Sequence, residues 1–170
     1  MSFFADPWLF NCRNDVEQRA IIKAIGRAAA YAQQRGVVLV AAAGNEGIDL
    51  NHPTTDEISP DFPPGAEYTR NVDNGCLTMP TEGPNVVSVG SVGPSTTKAD
   101  YSNWGVEQTQ VTAPGGYFRD GFGTPTFRTN ENEILSAYPK SLAVANGQLN
   151  PDGSPNTPLV VRDCRGSTCG

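Results

Sequence analysis

The sequence predicts an α/β chain, in which a mostly parallel sheet is flanked by helices and joined by long irregular loops. Three observations carry that prediction. A helix-period stretch runs into an unbroken apolar run within the first 43 residues. A second apolar run follows at residues 86–92. Between and beyond them, glycine and proline replace periodicity. The chain has 170 residues, 18 of them Gly and 14 Pro, and 38% are hydrophobic. That is the length of one ordinary domain, with a composition richer in loops than average.

The helix is the best-specified element. Asn14 followed by Glu17 fits an N-cap with its N3 carboxylate. Ile21, Ile25, Ala28, Ala29 and Ala32 then recur at helical spacing, and Arg19, Lys23 and Arg27 mark an opposite, solvated stripe. The pattern predicts a helix over residues 14–35, stopped by Gly36 in a left-handed conformation. Val37-Val38-Leu39-Val40-Ala41-Ala42-Ala43 follows without alternation, as in a parallel strand buried on both faces. With residues 1–4 as a preceding strand, the segment reads β-loop-α-β.

Residues 48–84 form a long, proline-rich loop with scattered acids and no periodicity, a length that usually signals function. Val86-Val87-Ser88-Val89-Gly90-Ser91-Val92 is a second strand, and Val111-Thr112-Ala113 a third. Residues 117–170 dissolve into Gly, Pro, Asn and Thr, with weak strand candidates at Leu142-Ala143-Val144 and Leu159-Val160-Val161. The expected organisation is one domain, residues 1–170, in four segments: 1–47, 48–84, 85–116 and 117–170.

A net charge of −6 argues against nucleic acid, whose phosphates need a basic patch, and against an anionic membrane surface. No apolar run approaches the length of a membrane span. The first residues, Met1-Ser2-Phe3-Phe4-Ala5-Asp6, lack the basic and apolar regions of a signal peptide. The four cysteines Cys12, Cys76, Cys164 and Cys169 allow three full pairings. A zinc site would want knuckle spacing or clustered histidines, yet His52 is the sole histidine. Disulfides in an oxidising compartment and free buried thiols both remain open. The preferred pairing is Cys12–Cys76, tying the start of the helix to the long loop, with Cys164–Cys169 closing a short turn.

There is no phosphate-cradling G-x-x-x-x-G-K-[ST] or G-x-G-x-x-G after a strand, and no nucleophile elbow G-x-S-x-G. His52 reads as an ordinary loop residue. The acids Asp49, Asp56, Glu57, Asp61, Glu67 and Asp73 match no EF-hand spacing; they read as solvated loop acids, with a structural Ca²⁺ site the alternative. The strongest signal is Ala41-Ala42-Ala43-Gly44-Asn45-Glu46-Gly47, directly after the apolar strand. Sites in parallel sheets form at the carboxyl ends of strands. Gly44 and Gly47 allow close backbone approach, and Asn45 offers an amide donor there. A plain turn accounts for Asn and Gly equally well on local grounds.

That segment resembles the oxyanion-hole segment of the subtilisin-like serine proteases. The resemblance continues in order through Asn85-Val86-Val87-Ser88-Val89-Gly90-Ser91-Val92, Tyr101-Ser102-Asn103-Trp104-Gly105 and Val111-Thr112-Ala113-Pro114-Gly115. Met1-Ser2 resembles the start of the family's substrate-pairing strand, with Phe3 in the place of its usual Leu. Phe4 departs from the small Gly found there. The resemblance covers about residues 1–47 and 85–116. It implies a partial subtilisin-like fold and a peptide or protein substrate, with no cofactor required. It also implies an extracellular, monomeric complete protein. Among the site residues it assigns the oxyanion role to Asn45 and substrate contact to Ser2, Phe3, Ala42, Ala43 and Gly44, and it implies no catalytic metal. The family's Asp and His motifs precede the substrate-pairing strand and its Ser lies in "G-T-S-M-A"; none of the three stands in this sequence. The expectation is therefore an interior fragment of a secreted endopeptidase, inactive and poorly stable alone. The alternative is a binding or scaffold protein that keeps the subtilase core without its triad. An oxyanion-like Asn45 favours the first, because a scaffold needs no donor there.

Overall fold

The computed structural model describes residues 1–162, and the backbone of residues 164–165 and 168–169. The chain divides into two compact units, Met1–Tyr117 and Phe118–Gly170.

The first unit holds strands β1 (Asn11–Cys12), β2 (Leu39–Ala42), β3 (Thr55–Asp56), β4 (Arg70–Asn71), β5 (Cys76–Leu77), β6 (Val86–Val92) and β7 (Val111–Pro114), with helix α1 (Val16–Gln33). Its main sheet is parallel throughout, in the order β2-β6-β7, with Leu39 opposite Val86 and Val89 opposite Val111. Helix α1 starts one residue later than the capping pattern predicts. Asp15 is the N-cap, and its carboxylate accepts the Gln18 N–H at 2.9 Å. The Gln18 side chain is drawn inward instead, where Oε1 accepts the Cys12 N–H at 2.7 Å. The inner stripe therefore runs through Gln18, Ile22, Ile25 and Ala29, while Ala28 is exposed. Gly36 does stop the helix, at φ +78°, a conformation without steric cost only for glycine.

Two strand expectations need correction. The run 37–43 is not buried on both faces: β2 is an edge strand, and Val38 is 77% exposed and Val40 43%. An unbroken apolar run marks a strand but does not count its neighbours. Residues 1–4 are not a strand either. Met1 alone pairs with β2, donating its N–H to the Val40 carbonyl at 2.5 Å and accepting the Ala42 N–H at 3.0 Å.

The long loop has more structure than its lack of periodicity suggests. Strands β3 and β4 pair antiparallel, as do β1 and β5, where Cys12 lies opposite Cys76 and is joined to it by a disulfide. The loop contributes Leu50, Val72 and Cys76 to a core cluster completed by Leu9, Phe10 and Cys12. Asp56, fully buried, meets the Arg70 guanidinium at 2.6 Å. Arg70 also donates to the Phe10 carbonyl and Gln18 Oε1, and it stacks over the Trp8 ring.

The second unit contains a 3-10 turn at Asn130–Asn132, the short helix α2 (Lys140–Ala145), and strands β8 (Cys164–Arg165) and β9 (Thr168–Cys169), paired antiparallel. The strand expected at Leu142-Ala143-Val144 is thus helical, and residues 159–161 form no strand. Three apolar residues in a row have no period to separate the two states. Asn132 organises this unit: its buried amide donates to the carbonyls of Asp120 and Thr126 at 3.2 and 2.7 Å. The Cys164–Cys169 pairing lies outside the described side chains.

Candidate active site

The carboxyl ends of β2, β6 and β7 open into a cleft of about 450 Å³. One wall is Met1 and Ser2; the other is residues 40–45, with Ser91, Tyr101 and Gly115 among the residues behind. No charged side chain lines it. Of the site residues expected from sequence, Ser2, Ala42, Ala43, Gly44 and Asn45 come together here, whereas Phe3 is 64% exposed and does not line the cleft.

The loop after β2 is shaped by two glycines and one buried amide. Gly44 lies at φ +108°, and a Cβ there would overlap Asn103 Nδ2. Gly47 lies at φ +68°, with its N–H on the Tyr101 carbonyl at 2.7 Å. Asn103 is almost fully buried. Its Oδ1 accepts the N–H groups of Glu46 and Ile48 at 3.1 and 2.9 Å, and its Nδ2 donates to the Ala43 carbonyl and to Glu46 Oε2 at 3.1 and 2.6 Å. Glu46 Oε2 in turn accepts the Asn45 N–H at 3.0 Å. The Asn45 backbone is thereby fixed. Its side chain is exposed at the rim of the cleft, and among the described residues nothing hydrogen-bonds its amide. An uncharged donor on a fixed backbone at the mouth of a cleft can stabilise an anion developing on a bound carbonyl.

Three consecutive residues serve the three strand ends. Tyr101 donates its hydroxyl to the carbonyls of Gly115 and Gly116 beyond β7, at 3.0 and 2.7 Å. Ser102 Oγ accepts the Ser91 N–H of β6 at 2.9 Å. Asn103 holds the loop after β2.

Residues 42–44 are expected to contact a substrate, and most of their backbone polar groups are already engaged within the chain. The Ala42 and Ala43 N–H groups bond to Met1 and Val89. The three carbonyls accept from Thr81 Oγ1, Asn103 Nδ2 and the Asn103 N–H. Only the Gly44 N–H remains. The backbone groups of Ser2 and Phe3 have no partner among the described residues.

The Subtilase family, peptidase S8, matches residues 12–153. The chain belongs to the subtilase family. Among solved structures, it is similar to a lanthipeptide protease, with 29% identity and a TM-score of 0.54, covering 81% of this chain and 36% of that one. It is also similar to the epidermin leader peptide processing serine protease from Staphylococcus aureus, with 28% identity and a TM-score of 0.51, covering 69% of this chain and 27% of the other. The chain thus spans about a third of the length of these solved relatives. No curated protein matches it in sequence.

Within this partial subtilase fold, no histidine lines the cleft. His52 lies on the long loop, beside Asp49 Oδ2 at 3.2 Å and its neighbour Asn51. Ser91 Oγ is 2.7 Å from the Tyr101 hydroxyl, which leaves it a structural partner and not an activated nucleophile. Among the described residues no group of three or more His, Cys, Asp or Glu could hold a metal ion. Asp56 is taken by Arg70, and Asp73 caps its own turn at the Gly75 N–H. Sequence reasoning missed Thr81, which is buried and donates to the Ala42 carbonyl at 2.6 Å. It also missed Glu82, whose carboxylate accepts the N–H and hydroxyl of Thr78. Burial pushes the Glu82 carboxyl above its ordinary pKa, against the opposing pull of the Thr78 hydrogen bonds and of Arg13. No local pattern distinguishes a Thr or Glu in a proline-rich loop from a solvated one.

Proposed function

We propose that this chain supplies the oxyanion donor and the substrate-pairing segment of a secreted subtilisin-like serine endopeptidase. The observation that carries the proposal is the Asn45 amide, free at the cleft rim while its backbone is locked through Glu46 and Asn103. An extended peptide would pair with Ser2 and Phe3. The residue before the scissile bond would enter the cleft, bringing its carbonyl to Asn45. The nucleophilic Ser, its His base and the orienting Asp would come from elsewhere in the natural-length protein. The substrates named for the solved relatives support an extended peptide over a small ester. The Cys12–Cys76 disulfide supports an oxidising, extracellular setting. The proposed reaction calls for no cofactor, and the enzyme would act as a monomer. A scaffold would have no use for an unpartnered donor at this point, which favours the protease over a binding protein.

The test is hydrolysis of casein and peptide anilides by the natural-length protein. Asn45→Ala is expected to lower kcat by about 10²–10³, with a smaller effect on KM, a magnitude taken over from subtilisin itself. The isolated 170-residue chain is expected to show no turnover. A loss of less than tenfold for Asn45→Ala would remove the oxyanion assignment. Turnover by the isolated chain, blocked by a serine-directed phosphonate, would place the nucleophile within it.

A further inference from the structure

The two segments that wall the cleft are joined at Met1 and part beyond it. Met1 bonds to both groups that flank Ala41, the pattern of one rung of a parallel ladder. The next rung would join the Phe3 N–H to the Ala42 carbonyl and the Gly44 N–H to the Phe3 carbonyl. Neither bond forms. The Ala42 carbonyl is taken by Thr81 Oγ1 at 2.6 Å, and Thr81 is only 7% exposed. Beyond the gap, the first segment is caught again, by the Ala5 N–H on the Met79 carbonyl at 2.9 Å. Thr78 and Met79, which lead into Thr81, are buried as well. A rigid support thus presents one hydroxyl at the point where the ladder stops.

We propose that Thr81 is a positioning residue that determines specificity: its hydroxyl occupies the Ala42 carbonyl, ends the ladder after Met1, and holds the walls apart for a substrate side chain. This deepens the protease proposal and rests on it for the substrate. The splitting of the strands stands independently of that proposal. Without the hydroxyl, the Ala42 carbonyl loses its donor, and the replacement that the ladder itself offers is the Phe3 N–H. Forming that bond would zip the walls together and shrink the slot. Large uncharged side chains would lose access first, and glycine or alanine last.

The experiment compares wild type, Thr81→Val and Thr81→Ser in the natural-length protein. Hydrogen–deuterium exchange is followed over a peptide containing Phe3. Thr81→Val should slow exchange at Phe3 by at least about tenfold, as expected for a new hydrogen bond of about 1.4 kcal/mol. Thr81→Ser should exchange like wild type, because it keeps the hydroxyl. In Thr81→Val, kcat/KM should fall about tenfold for peptides with leucine or phenylalanine before the scissile bond, and little for those with alanine. Unchanged Phe3 exchange in a Thr81→Val protein whose β6 amides remain protected would overturn the proposal. So would slowed exchange with no change in side-chain preference. If the natural-length protein cleaves no peptide at all, the protease proposal fails, and the exchange comparison still decides whether Thr81 splits the strands.

Discussion

The loop after β2, residues 43–48, and the long segment beyond it, residues 49–83, follow one another in the chain but are held by opposite means. The first is fixed by directional hydrogen bonds converging on one neutral buried side chain, Asn103, and by two glycines at positive φ. The second is fixed by a disulfide, a buried ion pair and apolar residues that belong to the core. The difference separates two tasks. Hydrogen bonds to neutral groups contribute about 1 kcal/mol each, but they set positions closely. Cross-links and burial contribute more, and tolerate small displacements. The short loop places an atom; the long segment keeps the unit folded.

The largest expected effect follows from breaking the long segment's ion pair. Arg70→Leu strands the buried Asp56 carboxylate and should cost about 3–5 kcal/mol in chemical denaturation. On the protease proposal, the folded fraction of the natural-length variant should keep its kcat, because nothing at the cleft changes. Replacing Cys12 and Cys76 together by Ser should cost about 4 kcal/mol by the chain-entropy argument for a separation of 64 residues. A loss of kcat in the folded fraction of either variant would erase the division of tasks.

Asn103→Ala should invert the pattern. It leaves the Glu46 and Ile48 N–H groups without their acceptor, at about 1–3 kcal/mol of stability. On the protease proposal, it should also lower kcat of the natural-length protein by at least about tenfold as Asn45 loses its fixed backbone, with KM less affected. Equal losses of kcat in Asn103→Ala and Arg70→Leu at matched folded fraction would show that both regions act only through folding.

The smallest effect concerns Glu82. Its folded-state pKa is raised by burial, so the folded chain binds this proton more tightly than the unfolded chain does. Stability from this group is therefore greatest below the ordinary value of 4.5 and falls as pH rises through the raised one. Glu82→Gln keeps an acceptor for Thr78 and carries no charge. It should raise Tm by a few degrees at neutral pH, with the gain vanishing below pH 4.5 when followed by thermal melts. A variant gain that persisted in acid would point to packing in place of charge.

What the sequence made legible was local. Helix α1, strands β6 and β7, and the stop at Gly36 all follow from period and turn chemistry confined to a few neighbouring residues. The motif placed Asn45 at the end of β2, where it lines the cleft, and Cys12–Cys76 followed from the elements that it would join. The unreadable parts depend on distance along the chain. Whether β2 has a neighbour on its outer side is decided by Met1, 38 residues before Leu39. Asn103 reaches Glu46 across 57 residues, and its motif gives its place without its partners. Thr81 meets Ala42 across 39 residues, and nothing beside it in sequence marks it as different from Thr54 or Thr55.

The run Tyr101-Ser102-Asn103 sends each of its side chains to the end of a different strand of the parallel sheet. Its consequence is one of length. Side chains on consecutive residues have fixed spacing, so the tripeptide sets the three strand ends against each other as marks on a ruler. A one-residue deletion inside it would shift all three attachments at once. The turn just before it, residues 94–97, is exposed, and an insertion there moves none of them. Within 10 positions of one another, the chain has a site where length is free to drift and a site where it is not.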